Sequence, residues 1–152
     1  DLNREVYNLG FSGNGRLDLE VAEVMASVDA GLYVIDCLPN NKVDALKANI
    51  DPFFQLLRSK RPDVPVLFVE SPMFPGYLLD MNEEATLKEK NAALREYYEK
   101  LKKAGVKKIY YFETKNILTE DRQGTVDGYH FTDLGFYRFE KKLLPVIQKI
   151  LK

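Results

Sequence analysis

Asp127-Gly128-Tyr129-His130 holds the only histidine of the 152 residues, with a carboxylate three positions before it. In one tight loop an aspartate can hydrogen-bond the ring Nδ1, fix the tautomer and leave Nε2 free as a base. The same spacing also suits a plain loop histidine beside a turn-capping aspartate. A second cluster, Gly10-Phe11-Ser12-Gly13-Asn14-Gly15, places three glycines in six residues. That allows tight turns and uncovered backbone N–H groups, or simply a flexible connection. It lacks the Gly-Lys-Ser/Thr of a phosphate loop, and Asn14 stands where the second framing glycine of a nucleophile elbow belongs. A third cluster is Asp36-Cys37-Leu38-Pro39-Asn40-Asn41. Either asparagine could cap a following helix; if Asn41 does so, the Asn40 amide is free to point elsewhere. A fourth stretch, Glu70-Ser71-Pro72 followed by Met73-Phe74-Pro75-Gly76-Tyr77, reads as a pocket wall or a packed loop.

These clusters need a frame, and the rest of the chain supplies one. Short apolar runs at Glu5–Leu9, Leu32–Cys37, Val64–Val69 and Lys107–Phe112 read as strands. The last three are nearly continuous, as expected of strands covered on both faces. Segments of helical period lie between and after them. Leu17, Val21, Val24, Met25 and Val28 form the first, with Asp18 at its start. Val43, Leu46, Ile50, Phe53 and Leu57 form the second, bent by Pro52. Leu87, Asn91, Leu94, Tyr98 and Leu101 form the third, capped by Asn82 and ended by Gly105. Thr132 to Leu151 forms the fourth, with Pro145 inside it. This order predicts a three-layer α/β/α domain with a mainly parallel, flavodoxin-like sheet. Such sheets carry their functional loops at the carboxyl ends of the strands, where all four clusters fall.

Composition narrows the function classes. Apolar residues make up 45% and charged residues 30%, as in a folded globular domain. The formal net charge of −1 gives no basic stripe for nucleic acid. No apolar run reaches the roughly 18 residues of a membrane span. One cysteine and one histidine exclude an internal disulfide and argue against a protein-built metal site.

In combination the clusters resemble the SGNH (GDSL-like) hydrolases, a family named for four separated blocks carrying Ser, Gly, Asn and His. Asn8-Leu9-Gly10-Phe11-Ser12-Gly13-Asn14-Gly15 is similar to the second block, Asp36-Cys37-Leu38-Pro39-Asn40 to the third, and Asp127-Gly128-Tyr129-His130 to the last. Leu38-Pro39 replaces the more usual Gly-Gly of the third block. The resemblance covers nearly the whole chain in order and spacing, and it resembles in particular bacterial acylhydrolases. It implies that His130 is the base, Asp127 its orienting partner, and the Gly13 N–H and Asn40 amide parts of an oxyanion hole. It implies ester substrates, including acetylated saccharides, and no metal or organic cofactor.

The first block, which carries the nucleophilic serine, is not found. Ser27 and Ser59 fall on helices, Ser12 in the oxyanion block and Ser71 after another strand. The expectation is therefore a single domain over residues 1–152 that is N-terminally incomplete, its central first strand and its serine preceding Asp1. Two other readings compete: a non-catalytic ligand-binding module on the same fold, and a flavodoxin-like signalling or nucleotide domain. The latter gives Asp127 and His130 no shared task.

Overall fold

The computed structural model describes residues 2–118 and 121–152. Its sheet has three parallel strands, β1 (Tyr33–Ile35), β2 (Val66–Val69) and β3 (Ile109–Phe112), in the order β1-β2-β3. Tyr33 stands beside Val66, and Val66 beside Ile109. Among the described residues four α-helices accompany them: α1 (Leu19–Ser27), α2 (Val43–Lys60), α3 (Met81–Lys103) and α4 (Asp133–Ile150).

Alternation along the strands explains the layers. Tyr33, Ile35, Val66, Phe68 and Ile109 point to one face and join Leu46, Phe54, Leu57, Leu94 and Leu101 of α2 and α3, with Ala22 and Ala26 of α1. Phe54, Phe68 and Tyr97 form a ring cluster there, with centroids 5.8–6.1 Å apart. Leu67, Val69 and Phe112 point to the other face, against Phe139, Leu143, Val146 and Ile147 of α4. Helices thus cover both faces, the three-layer arrangement expected from the sequence. Every residue of β2 is buried.

The helix ends follow local chemistry, with three departures. Asp18 holds the first N-cap position, but its side chain makes no capping bond; its carbonyl accepts from Val21 and Ala22. Asn41 does not cap α2: that place falls to Lys42, and Asn41 is drawn inward by partners far away in sequence. Asp80 rather than Asn82 caps α3, its carboxylate accepting the Asn82 N–H at 2.8 Å. At the other end of α3, Gly105 N–H bonds the Lys102 carbonyl and Val106 N–H that of Leu101, the paired closure expected of a glycine stop. Thr132 caps α4 by accepting from Gly135 N–H at 3.1 Å.

One expected strand is absent. Glu5–Leu9 pairs with no strand, and Val6 and Tyr7 face solvent. A strand exists only through a ladder partner, and this segment has none. On the described residues β1 is therefore an edge strand. Tyr33 N–H bonds the Pro65 carbonyl on the β2 side, so the Val34 peptide groups point the other way, off the sheet. Among the described residues no helix is long and apolar enough to cross a membrane.

Candidate active site

The loop after β3 is shaped by Asp127. One oxygen, Oδ1, accepts the backbone N–H groups of Tyr129 and His130, each at 2.9 Å. The other, Oδ2, lies 2.7 Å from His130 Nδ1. Thr125 and Phe131 form an antiparallel bridge around this turn, and Val126 N–H donates to the His130 carbonyl at 2.8 Å. The His130 backbone N–H, its ring and the Tyr129 N–H together hold the Asp127 carboxyl well below the usual carboxylate range. Asp127 is thus ionised and acceptor-only, so the neutral ring places its proton on Nδ1 and its lone pair on Nε2. The His130 side chain is 84% exposed.

The loop rests on the turn that follows β2. Gly76 N–H donates to the Gly128 carbonyl at 2.9 Å. The Tyr129 ring lies against Gly76 so closely that a Cβ there would stand 2.4 Å from a ring carbon. The Tyr129 hydroxyl donates to Glu83 near the start of α3, and this bond raises its pKa to about 12. Phe131 is fixed between Phe74 and Phe139, with centroids 5.5 Å from each. A cleft of about 320 Å³ opens beside the loop on the Asp127 side, lined by Gly76, Leu79, Asp80, Glu83, Arg122 and Tyr129 among others.

Asn40 closes the short turn after β1, and Gly13 lies in the glycine-rich segment before α1. Gly13 has φ +67°, a left-handed conformation that side-chain-bearing residues rarely adopt, and the space where a Cβ would project is open. Asn41 ties the glycine segment to the turn after β1: its Nδ2 donates to the carbonyls of Gly15 and Cys37, both at 2.8 Å. A Cβ on Gly15 would lie 3.5 Å from Asn40 Nδ2, so the segment passes directly over the Asn40 amide. Lys90 of α3 donates to the Pro39 carbonyl at 3.2 Å. Asp127 and His130 are thus in direct contact, and Gly13 and Asn40 lie on adjoining segments. Asp127 and His130 lie in the loop after β3 and rest on the turn at 75–79, Asn40 follows β1, and Gly13 lies in the segment before α1.

Among the described residues no cysteine or serine completes the set. Burial and the nearby Asp36 push the Cys37 thiol up to about 12, which keeps it protonated. Ser27 and Ser59 donate to helix carbonyls at Val24 and Leu56. Ser71 is buried, its backbone paired with the Asn91 side chain. Among the described residues no serine hydroxyl hydrogen-bonds His130. Sequence reasoning missed the long-range bonds of Asn41, Glu83, Lys90 and Tyr129, which span 26 to 51 residues.

Comparison with known proteins gives the fold and the family. A protein from Bacteroides ovatus ATCC 8483 described as a GDSL-like lipase matches with a TM-score of 0.87 and 37% identity, over 91% of this chain and 41% of its own. The salicylyl-acyltransferase SsfX3 of a tetracycline biosynthetic pathway (TM-score 0.74, 15% identity, 91% and 44% covered) shares the fold. So does the Clostridium thermocellum family 3 carbohydrate esterase (TM-score 0.59, 17% identity, 88% and 67% covered). The chain spans about two fifths of the length of the first two. No curated protein sequence matches it. The profile of the GDSL-like Lipase/Acylhydrolase family matches residues 1–148, and the chain belongs to that family.

Proposed function

We propose that this chain carries the base and the oxyanion donors of a serine ester hydrolase, with the serine supplied from outside these 152 residues. The observation that carries the reading is Asp127 Oδ2 at 2.7 Å from His130 Nδ1, the same carboxylate being locked by two backbone N–H groups. That arrangement prepares Nε2 to accept a proton. His130 takes the serine hydroxyl proton as the oxygen attacks the ester carbonyl. The Gly13 N–H and the Asn40 amide donate to the oxyanion. Collapse breaks the bond to the alcohol oxygen, which leaves with the proton from His130, and water repeats the sequence on the acyl-enzyme. Asp127 stays ionised throughout and steadies the imidazolium.

The substrate class we propose is a small acyl ester, with acetylated saccharides as the leading case; the fold shared with a carbohydrate esterase supports it. The test is hydrolysis of acetyl esters by the full-length gene product. His130→Ala should lower kcat at least 10³-fold while the fold, followed by circular dichroism, is kept. Unchanged turnover in that variant rejects the reading and leaves a ligand-binding module in its place.

A further inference from the structure

Glu83 and Lys90 stand seven residues apart on α3, two turns along one face and about 10 Å apart on the axis. Each reaches across to a different half of the candidate site. Glu83 accepts the hydroxyl of Tyr129, the residue immediately before His130. Lys90 donates to the carbonyl of Pro39, the residue immediately before Asn40. Lys90 holds the peptide that leads into Asn40, and Glu83 holds the side chain of the residue that leads into His130. The Pro39 carbonyl shares a rigid peptide plane with the nitrogen and Cα of Asn40, so holding that oxygen holds the backbone atoms from which the Asn40 side chain springs. Gly76 lies close against the hydroxyl end of the Tyr129 ring.

We propose that α3 is the spacer that sets the distance between base and oxyanion donor, with Lys90 and the Glu83–Tyr129 pair as positioning residues. The proposal rests on the hydrolase reading of the site and adds a task for residues that the reading leaves unused. Lys90 is only 9% exposed, an unusual place for a lysine, and burial lowers its pKa while the Glu83 charge opposes that shift. Packing alone would be served by methionine or leucine. What the ammonium adds is a donor at one particular carbonyl, and it does so at a desolvation cost.

The test uses the full-length gene product with Lys90→Met, Lys90→Arg, Tyr129→Phe and Glu83→Gln. Ester turnover is resolved into kcat and KM, and NMR follows the Asn40 side-chain amide and the His130 ring. Lys90→Met should lower kcat about tenfold with KM within twofold and shift the Asn40 amide signals, with the His130 ring unmoved. Lys90→Arg, which keeps a donor in reach, should restore most of kcat. Tyr129→Phe and Glu83→Gln should show the reverse NMR pattern, shifting the His130 ring alone, with kcat reduced several-fold. Folded Lys90→Met with wild-type kcat and an unmoved Asn40 amide overturns the proposal. If Lys90→Met does not fold, Lys90→Gln, too short to reach Pro39, is read in the same way. If the unmodified protein cleaves no ester, the hydrolase reading fails, and the NMR pattern still decides whether α3 positions the two groups.

Discussion

Asp127 commits one oxygen to two backbone N–H groups and the other to the His130 ring, so the carboxylate has no freedom to swing toward solvent. A weaker arrangement, with one bond to the ring alone, would leave the imidazole free to rotate about its side-chain bonds. Asn40 is the complementary residue: a neutral donor that adds no charge to a site where negative charge must develop. Asn40→Ala should lower kcat about 10²–10³-fold with KM little changed, since its bond forms only as the oxyanion appears; steady-state kinetics on an acetyl ester checks this. This residue-scale chemistry was legible in the sequence where it is local. Asp127 and His130 are three positions apart, so the turn that joins them is encoded in the turn itself. Asn41 was misread for the opposite reason. Its type predicts a cap, but its real partner Gly15 lies 26 residues upstream and reaches it only once α1 and α2 have folded back.

Among the elements, the turn at 75–79 decides where the histidine loop can sit. A Cβ at Gly76 would meet the Tyr129 ring at 2.4 Å, a separation that forces the ring or the turn to move. Gly76→Ala should therefore cost about 1–3 kcal/mol of stability. A displacement of even about 1 Å at the base lowers turnover by up to ~10²-fold, so a larger loss in kcat than in melting temperature is expected. Calorimetry and kinetics on the same preparation separate the two. The strands β1, β2 and β3 were legible because each is a dense apolar run covered on both faces. Glu5–Leu9 has a similar composition and is no strand, because ladder hydrogen bonds come from a neighbour and not from the segment itself. Glu83 and Lys90 were illegible because each sits in a run of charged residues that reads as a solvated helix face. Only the packing of α3 against the turns at 38–40 and 75–79 shows that Lys90 turns inward and that Glu83 reaches Tyr129 at the surface.

Across the whole molecule, Asp36 links the fold to pH. It touches solvent at the end of β1, yet the surrounding protein raises its pKa from 3.8 to about 6. A carboxyl with a raised folded-state pKa binds its proton more tightly when folded than when unfolded. Its contribution to stability is therefore greatest when protonated and declines as pH rises from about 4 to about 6. Asp36→Asn should flatten that part of the melting-temperature profile, and an unchanged profile would locate the dependence elsewhere. The two-sided core is less sensitive to conditions. Phe54 sits within the Phe68–Tyr97 ring cluster, and Phe54→Ala should cost about 3–5 kcal/mol, measured by urea denaturation. The free border of β1 has a different consequence. Val34, 38% exposed, shows a β-branched side chain beside peptide groups with no ladder partner, and such a border recruits any extended polypeptide that drifts alongside. Handled alone in concentrated solution, these 152 residues should self-associate edge to edge. Light scattering should grow with concentration, and a single lysine in place of Val34 should keep the particles small.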